Sequence, residues 1–228
     1  MATVRSYERP ATIEAAVAAL RRAGSVVLGG GTLLNAQPTP EPVALVDLQA
    51  LPLLRIEETG AHSLSIGAGV RLQALVEHPA VPPAVREAAR RELPSTLRAV
   101  ATVGGCVAAA EPDSELYAAL LVHDLVVATA DGLFVTAVEI ATDGACAWAR
   151  TARTPADRPI VAAFVRRRPD GETRLALTGV APRPVLVDPD ELDELEPPGD
   201  FRGSSAYRRA LAATLSARAL EEVECSSS

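Results

Sequence analysis

The sequence predicts a chain of mixed helices and strands built from two or three small subdomains instead of one large core, and three observations carry that expectation. At 228 residues the chain exceeds the usual size of a single domain. Stretches of helical period alternate with short stretches that are either wholly apolar or of period two. Two glycine clusters, Val27-Leu28-Gly29-Gly30-Gly31-Thr32-Leu33-Leu34-Asn35 and Ala101-Thr102-Val103-Gly104-Gly105-Cys106-Val107, each follow a short apolar run. Such junctions often present ligand-binding backbone.

Each element follows from a local signal. Thr12 caps a helix in which Ile13, Ala16, Val17 and Leu20 recur at helical spacing, and Gly24 stops it. Ser25 to Leu28 reads as a strand that delivers the first glycine cluster at its C-terminal end. Val43 to Leu48 and Leu54 to Glu57 are further strands, and Leu64-Ser65-Ile66-Gly67-Ala68 alternates as a half-buried strand does. Arg71 to Glu77 and Ala84 to Glu92 are helical, separated by Pro79, Pro82 and Pro83, and Pro94 ends the second. After the second cluster, Ser114 to Val122 is a helix and Leu125 to Thr129 a strand closed by the Asp131-Gly132 turn. Phe134 to Ile140, Ile160 to Arg166 and Thr173 to Val180 complete the strands. Pro182, Pro184 and Glu196-Pro197-Pro198-Gly199 punctuate the tail, a last helix runs from about Ser204 to Glu222, and Ser226 to Ser228 are expected to fray. The chain carries no internal repeat.

Composition narrows the function. Hydrophobic residues make up 48% and charged residues 22%, which suits a folded globular chain. Aromatics at 3% leave almost nothing for base stacking, and a net charge of −7 lacks the basic surplus of a nucleic-acid binder. No run is long and apolar enough to span a bilayer, and the start lacks the organisation of a signal peptide, so the expected location is the cytoplasm without membrane insertion. Cys106, Cys146 and Cys225 are scattered, and His62, His78 and His123 lack metal-ligand spacing, so no cluster or zinc is expected within this chain. Asp113 with Glu111 reads as a solvated pair before it reads as an acid and base.

The glycine clusters carry the chemistry. Tandem glycines beside a hydroxyl residue leave backbone amides open to an anion, because no Cβ blocks the approach. Neither cluster is GxGxxG followed by an acidic residue about twenty positions on, nor GxxxxGK[ST], so the Rossmann and P-loop explanations lack their defining residues. A pyrophosphate gripped from two loops is the natural candidate; the plainer alternative at each cluster is a packing turn.

A series of segments, in order along the chain, carries a family resemblance. After an opening strand and helix ending at Leu20, Gly29-Gly30-Gly31-Thr32-Leu33 sits where the FAD-binding subunits of molybdenum hydroxylases carry Ala-Gly-Gly-Thr/His-Asp/Ser. Thr102-Val103-Gly104-Gly105-Cys106 resembles their Thr-Ile-Gly-Gly-Asn, and Ala110-Glu111-Pro112-Asp113-Ser114-Glu115-Leu116 their Ala-Ser-Pro-x-Ser-Asp-Leu. Trp148 to Ile160 is similar to their Tyr-Glu-Lys-x-Ala-Arg-Thr-Pro-Ala-Asp-x-Pro-Ile, with Arg150 in place of a flavin-contacting Lys. Asp200-Phe201-Arg202-Gly203-Ser204 with Tyr207-Arg208-Arg209 resembles the start of their last helix. The resembled family is that of the xanthine dehydrogenase and carbon monoxide dehydrogenase medium subunits.

The resemblance implies a two-subdomain FAD-binding fold of the molybdopterin dehydrogenase flavoprotein type, residues 1–55 and 56–158, followed by a small, shortened C-terminal α+β domain at 159–225. It implies FAD held by Leu28, Gly29, Gly30, Gly31, Thr32 and Leu33, by Thr102, Gly104, Gly105 and Cys106, and by Glu115, Val135 and Arg150. In that assignment amides of Gly29 to Leu33 and of Gly104 to Val107 reach phosphate or ring edges, Glu115 accepts from sugar hydroxyls, and Arg150 faces the reduced ring. The implied partners are a large molybdopterin subunit and a small subunit with two-iron two-sulfur clusters, whose electrons cross FAD to NAD or another acceptor. Leu33, Cys106, Glu115 and Arg150 depart from the family pattern. Leu33, Cys106 and the shortened C-terminal half keep open a degenerate scaffold subunit without flavin, and a stand-alone FAD oxidoreductase of the wider two-subdomain fold is a second alternative.

Overall fold

A computed structural model describes residues 3–36 and 41–226. The described residues form three sheets, each with its own helices. The first unit comprises β1 (Val4–Glu8), α1 (Ile13–Leu20), β2 (Ser25–Leu28), α2 (Thr32–Ala36) and β3 (Val43–Asp47), with the strands in parallel order β1-β3-β2. The Thr12 hydroxyl accepts from the Ala15 amide at the start of α1, and Gly24 follows its end at φ +73°. Ala16 and Ala19 of α1 bury against Val46, Leu51 and Leu53, and the same cluster takes in Ala130 and Phe134 from the next unit.

The second unit contains β4 (Ile56–Gly60), β5 (Ser63–Gly67), α3 (Leu72–Glu77), α4 (Pro83–Glu92), α5 (Ser95–Arg98), α6 (Val103–Ala109), α7 (Glu115–Val122), β6 (Val126–Ala130) and β7 (Phe134–Ala141). Its sheet is antiparallel throughout, in order β4-β5-β7-β6. Leu64 and Ile66 of β5 are fully buried while Ser63, Ser65 and Gly67 between them are not, so period-two patterning aims alternate side chains under the helices. Those side chains join Leu72, Leu75, Val85, Leu116 and Leu120 in the largest core.

The third unit is an antiparallel sheet of β8 (Ala145–Thr151), β9 (Val161–Arg167), β10 (Thr173–Leu177) and β11 (Val185–Val187), in order β11-β10-β9-β8, covered by α8 (Ser205–Ser226). β9 is buried on both faces. Val161, Ala163 and Val165 meet Ala212, Leu215 and Ala219 of α8, whereas Ala162 and Phe164 join the core of the second unit. That explains why Val161 to Val165 is a continuous apolar run.

The main elements fall where local signals place them, and the differences have physical causes. The second glycine cluster is helical, forming α6 instead of a loop. β8 escaped notice because Ala-Cys-Ala-Trp-Ala-Arg-Thr is poor in β-branched residues, and it belongs to the third sheet although a division at 158 leaves it in the second unit. β10 stops at Leu177, short of Val180, since Gly179 turns the chain at φ +72°. α8 continues to Ser226; Ser227 and Ser228, expected to fray, lie outside the described residues. No helix among the described residues is long and apolar enough to cross a membrane.

Two buried polar groups fasten the units. Arg166 is fully buried on β9, where its guanidinium donates to the Asp143 and Val122 carbonyls at 2.9 and 3.1 Å and pairs with Asp124 at 2.7 Å and Asp143 at 2.5 Å. It thereby ties the end of α7 to the third sheet. At that same end His123 Nδ1 lies 2.8 Å from the Ala141 carbonyl, which fixes Nδ1 as the protonated nitrogen of the neutral ring. Burial, reinforced by the Arg166 charge, lowers its pKa to about 4. An unfolded chain therefore binds a proton at His123 that the folded chain excludes, and stability contributed above pH ~6.5 is lost as pH falls toward 4. A His123→Asn variant, whose amide keeps a donor near the Ala141 carbonyl, is expected to show a shallower fall of Tm between pH 7 and 4.5.

Candidate functional site

The first glycine cluster emerges from β2 with its backbone uncommitted. Among the described residues, the amides of Gly29, Gly30, Gly31, Thr32 and Leu33 donate to no carbonyl or side chain of the chain. Gly31 sits at φ +73°, immediately before the first turn of α2, so successive N–H groups converge as in an anion-binding nest. The Gly29 carbonyl accepts from Gln49 Nε2 at 3.1 Å.

The second cluster faces the first. Thr102 caps α6, its hydroxyl accepting from the Gly105 amide at 3.1 Å, and an added Cβ on Gly29 would lie 3.0 Å from that same oxygen. The hydroxyl therefore stands between the two clusters with its own proton free to donate. A Cβ at Gly30 would come within 2.1 Å of the Val100 carbonyl oxygen, so only glycine lets the clusters touch. On the opposite side, a Cβ at Gly104 would meet the Ala68 side chain at 2.6 Å, which is why α6 seats closely on the segment after β5.

Here the structure corrects the expected chemistry. The Gly104 amide donates to the Ala68 carbonyl at 2.9 Å, that of Gly105 to Thr102 Oγ1 and that of Cys106 to the Thr102 carbonyl at 3.1 Å. These three amides are consumed in building α6 and are not available to a phosphate. The second cluster instead shapes a wall and presents the Thr102 hydroxyl.

Between the clusters lies a cleft of about 710 Å³, within the range of roughly 300–1,000 Å³ typical of cofactor sites. Gly29, Gly30, Gly31, Thr32, Leu33, Thr102, Gly104, Gly105, Cys106 and Val135 all line it. Leu28 does not, but its Cδ1 is 3.3 Å from where a Cβ on Gly31 would stand, so it buttresses the turn from beneath. Burial pushes the Cys106 thiol up to about 12, leaving it protonated and poorly nucleophilic at neutral pH.

Glu115 and Arg150 are placed differently from the expectation. Neither lines the cleft. They form an ion pair at 3.2 Å, with N–H alignment short of a hydrogen bond, and Arg150 also donates to the carbonyls of Pro155 and Asp157 at 3.3 and 2.5 Å. Glu115, in the first turn of α7, is 2% exposed and not a solvated helix-end charge. Burial raises its carboxyl to about 7, against the pull of Arg150. Asp113 is likewise buried, paired with Arg158 at 2.8 Å and Arg202 at 3.0 Å, so it forms no solvated pair with Glu111.

Sequence reasoning missed several wall residues, among them Gln49, Arg71, Glu92 and Arg158. Glu92 was legible: it continues the buried face of Val85, Ala88 and Ala89 on α4, where an acid is out of character. Its carboxylate accepts from the Leu116 amide at 3.0 Å and pairs with Arg158 at 2.5 Å, while burial shifts its pKa upward. Replacing it by Gln removes the ion pair and leaves Arg158 under-compensated, so Glu92→Gln is expected to lower stability by about 1–3 kcal/mol in urea unfolding. Among the described residues, no group of three or more His, Cys, Asp or Glu is placed to hold a metal.

Amides that donate to none of the described residues, a hydroxyl between the two glycine clusters and a largely apolar cleft give this α+β protein a site suited to a pyrophosphate-containing cofactor. The sequence pattern of the FAD binding domain in molybdopterin dehydrogenase matches residues 2–141, and the chain belongs to that family. It is 29% identical to YgfM of Escherichia coli strain K12, a protein described as uncharacterised, across 93% of either chain. Among solved structures, a chain of carbon monoxide dehydrogenase from Hydrogenophaga pseudoflava, in a form lacking the Mo-pyranopterin moiety of its cofactor, has the same fold with a TM-score of 0.87 at 23% identity, 99% of each chain being covered. A chain of quinoline 2-oxidoreductase from Pseudomonas putida 86 gives a TM-score of 0.82 at 22% identity over 98% of each. At these identities the likeness is one of fold.

Proposed function

We propose that this chain is the FAD-bearing electron-transfer subunit of a molybdenum hydroxylase or dehydrogenase complex. The observation that supports this most is the row of amides from Gly29 to Leu33 that donate to none of the described residues, facing the Thr102 hydroxyl across the cleft. The pyrophosphate is bound by those amides, Leu33 contributing its backbone N–H whatever its side chain. Gly104, Gly105, Cys106 and Val135 bound the cavity, and the Glu115–Arg150 pair stiffens the segments behind it. FAD, when bound, supplies the redox chemistry. The chain orients that group, limits its contact with water and sets the charge around it; a catalytic base in this chain is not required.

In this reading the partners are a large molybdopterin subunit and a small subunit with two-iron two-sulfur clusters, and the electrons leave through FAD to NAD or another acceptor in the cytoplasm. Relatives of the same fold described as carbon monoxide dehydrogenase and quinoline 2-oxidoreductase support the assignment to an oxidoreductase complex. The test is to isolate the tagged chain from its native host. A cysteine-rich iron–sulfur protein and a large molybdopterin protein are expected to co-elute, with NAD or a dye reduced by the assembly. A chain that is always recovered alone contradicts the proposal.

A further inference from the structure

Amides and a hydroxyl give a pyrophosphate its hydrogen bonds but no countercharge, and a doubly anionic group in a largely apolar cleft needs a cation. Two arginines line the wall, Arg71 and Arg158. Arg158 is committed: its guanidinium pairs with Glu92 at 2.5 Å and with Asp113 at 2.8 Å. Arg71 pairs with no carboxylate among the described residues. Among those residues its side chain donates one N–H, to the Val100 carbonyl, which leaves four donors of the five.

That carbonyl locates the free charge. Val100 O is the atom that a Cβ on Gly30 would strike, so Arg71 is anchored on the oxygen against which the first glycine cluster packs. The backbone reinforces the placement, because Arg71 pairs with Thr102 in an isolated antiparallel bridge and occupies the extended position before α3. One side chain therefore stands beside both the open amides of Gly29 to Leu33 and the Thr102 hydroxyl.

We propose that Arg71 is the cation that binds the pyrophosphate of the cofactor, and so sets this chain's preference for a dinucleotide over a simple flavin. The inference rests on the FAD reading of the cleft. A guanidinium meets phosphate oxygens with two parallel N–H groups, whereas an ammonium offers a single point charge.

The experiment compares dissociation constants for FAD and for riboflavin, which lacks the pyrophosphate, on the full chain and its Arg71→Gln and Arg71→Lys variants. Arg71→Gln is expected to weaken FAD by about ten- to a hundredfold, the equivalent of one charge-assisted contact, while riboflavin binding is unchanged. Arg71→Lys falls between, and added salt weakens FAD binding to wild type more than to Arg71→Gln. If wild type binds FAD and Arg71→Gln binds it equally well, or loses FAD and riboflavin alike, the role of Arg71 is wrong and the FAD reading stands. If wild type binds neither FAD nor riboflavin, the FAD reading fails and the inference falls with it.

Discussion

Replacing Gly30 by alanine is expected to cost the chain on the order of a hundredfold in FAD affinity. The added methyl group would stand 2.1 Å from the Val100 carbonyl oxygen and 2.9 Å from Ala101 Cα, and both are backbone atoms that no rotamer change can move aside. The two glycine clusters must separate, which carries the amides of Gly29 to Leu33 away from the Thr102 hydroxyl and from one another. Loss of one or two charge-assisted bonds at about 1.5–3 kcal/mol each accounts for the magnitude. Overpacking of this kind also costs about 1–3 kcal/mol of stability, so affinity is measured well below the Tm of the variant. Alanine at Gly171 is the control: nothing lies within 4 Å of a Cβ there, and its φ of +89° makes the change a matter of local backbone strain in the turn between β9 and β10, outside the cleft lining. An unchanged FAD affinity in Gly30→Ala would mean that contact between the clusters does not shape the site.

Arg166→Met is expected to be the most destabilising single change outside the cleft, by about 3 kcal/mol, the lower end of the range for breaking a buried ion pair. Four acceptors converge on that guanidinium from Val122, Asp124 and two atoms of Asp143. Asp124 and Asp143 are 27% and 24% exposed and regain water when the arginine goes, which holds the loss below the upper limit. For a chain of this size the change corresponds to a fall in Tm of about 6–12 °C. Arg166→Lys does not restore it, because one ammonium cannot meet acceptors on three sides. Equilibrium unfolding in urea measures the effect, and equal midpoints for wild type and Arg166→Met would show that the third unit is held by its apolar contacts alone.

What could be read from the sequence, and what could not, divides along the distance over which each feature is determined. Thr12 with the α1 pattern, the strand before Gly29 and the alternation of β5 rest on neighbours in the chain, and they fold as that pattern predicts. The Asp200–Arg209 segment is similarly explicit: Asp200 accepts from the amides of Arg202 and Gly203 and pairs with Arg208 at 2.7 Å, which holds its carboxyl down to about 2. Arg208 in turn donates to the carbonyls of Ile160 and Gly179, so this motif fastens α8 to its sheet.

The fate of the second glycine cluster was settled partly within it and partly elsewhere. The Gly105 and Cys106 amides are taken by Thr102, the residue that caps α6, whereas the Gly104 amide is taken by the Ala68 carbonyl, which arrives from the end of β5, and no pattern within Ala101 to Val107 reveals that second contact. Glu115 and Arg150 sit on elements far apart in sequence, and their pairing arises when β8 joins the third sheet. A buried charge tends to find a partner charge, so two ionisable residues read separately as ligand contacts became each other's counterion.

The visible absorption spectrum of the purified chain, recorded after incubation with FAD and removal of the excess, tests the central claim most directly. A retained two-banded yellow spectrum that is lost in Gly30→Ala is the predicted result. A wild-type chain that stays colourless, even with its partner subunits added, would contradict it.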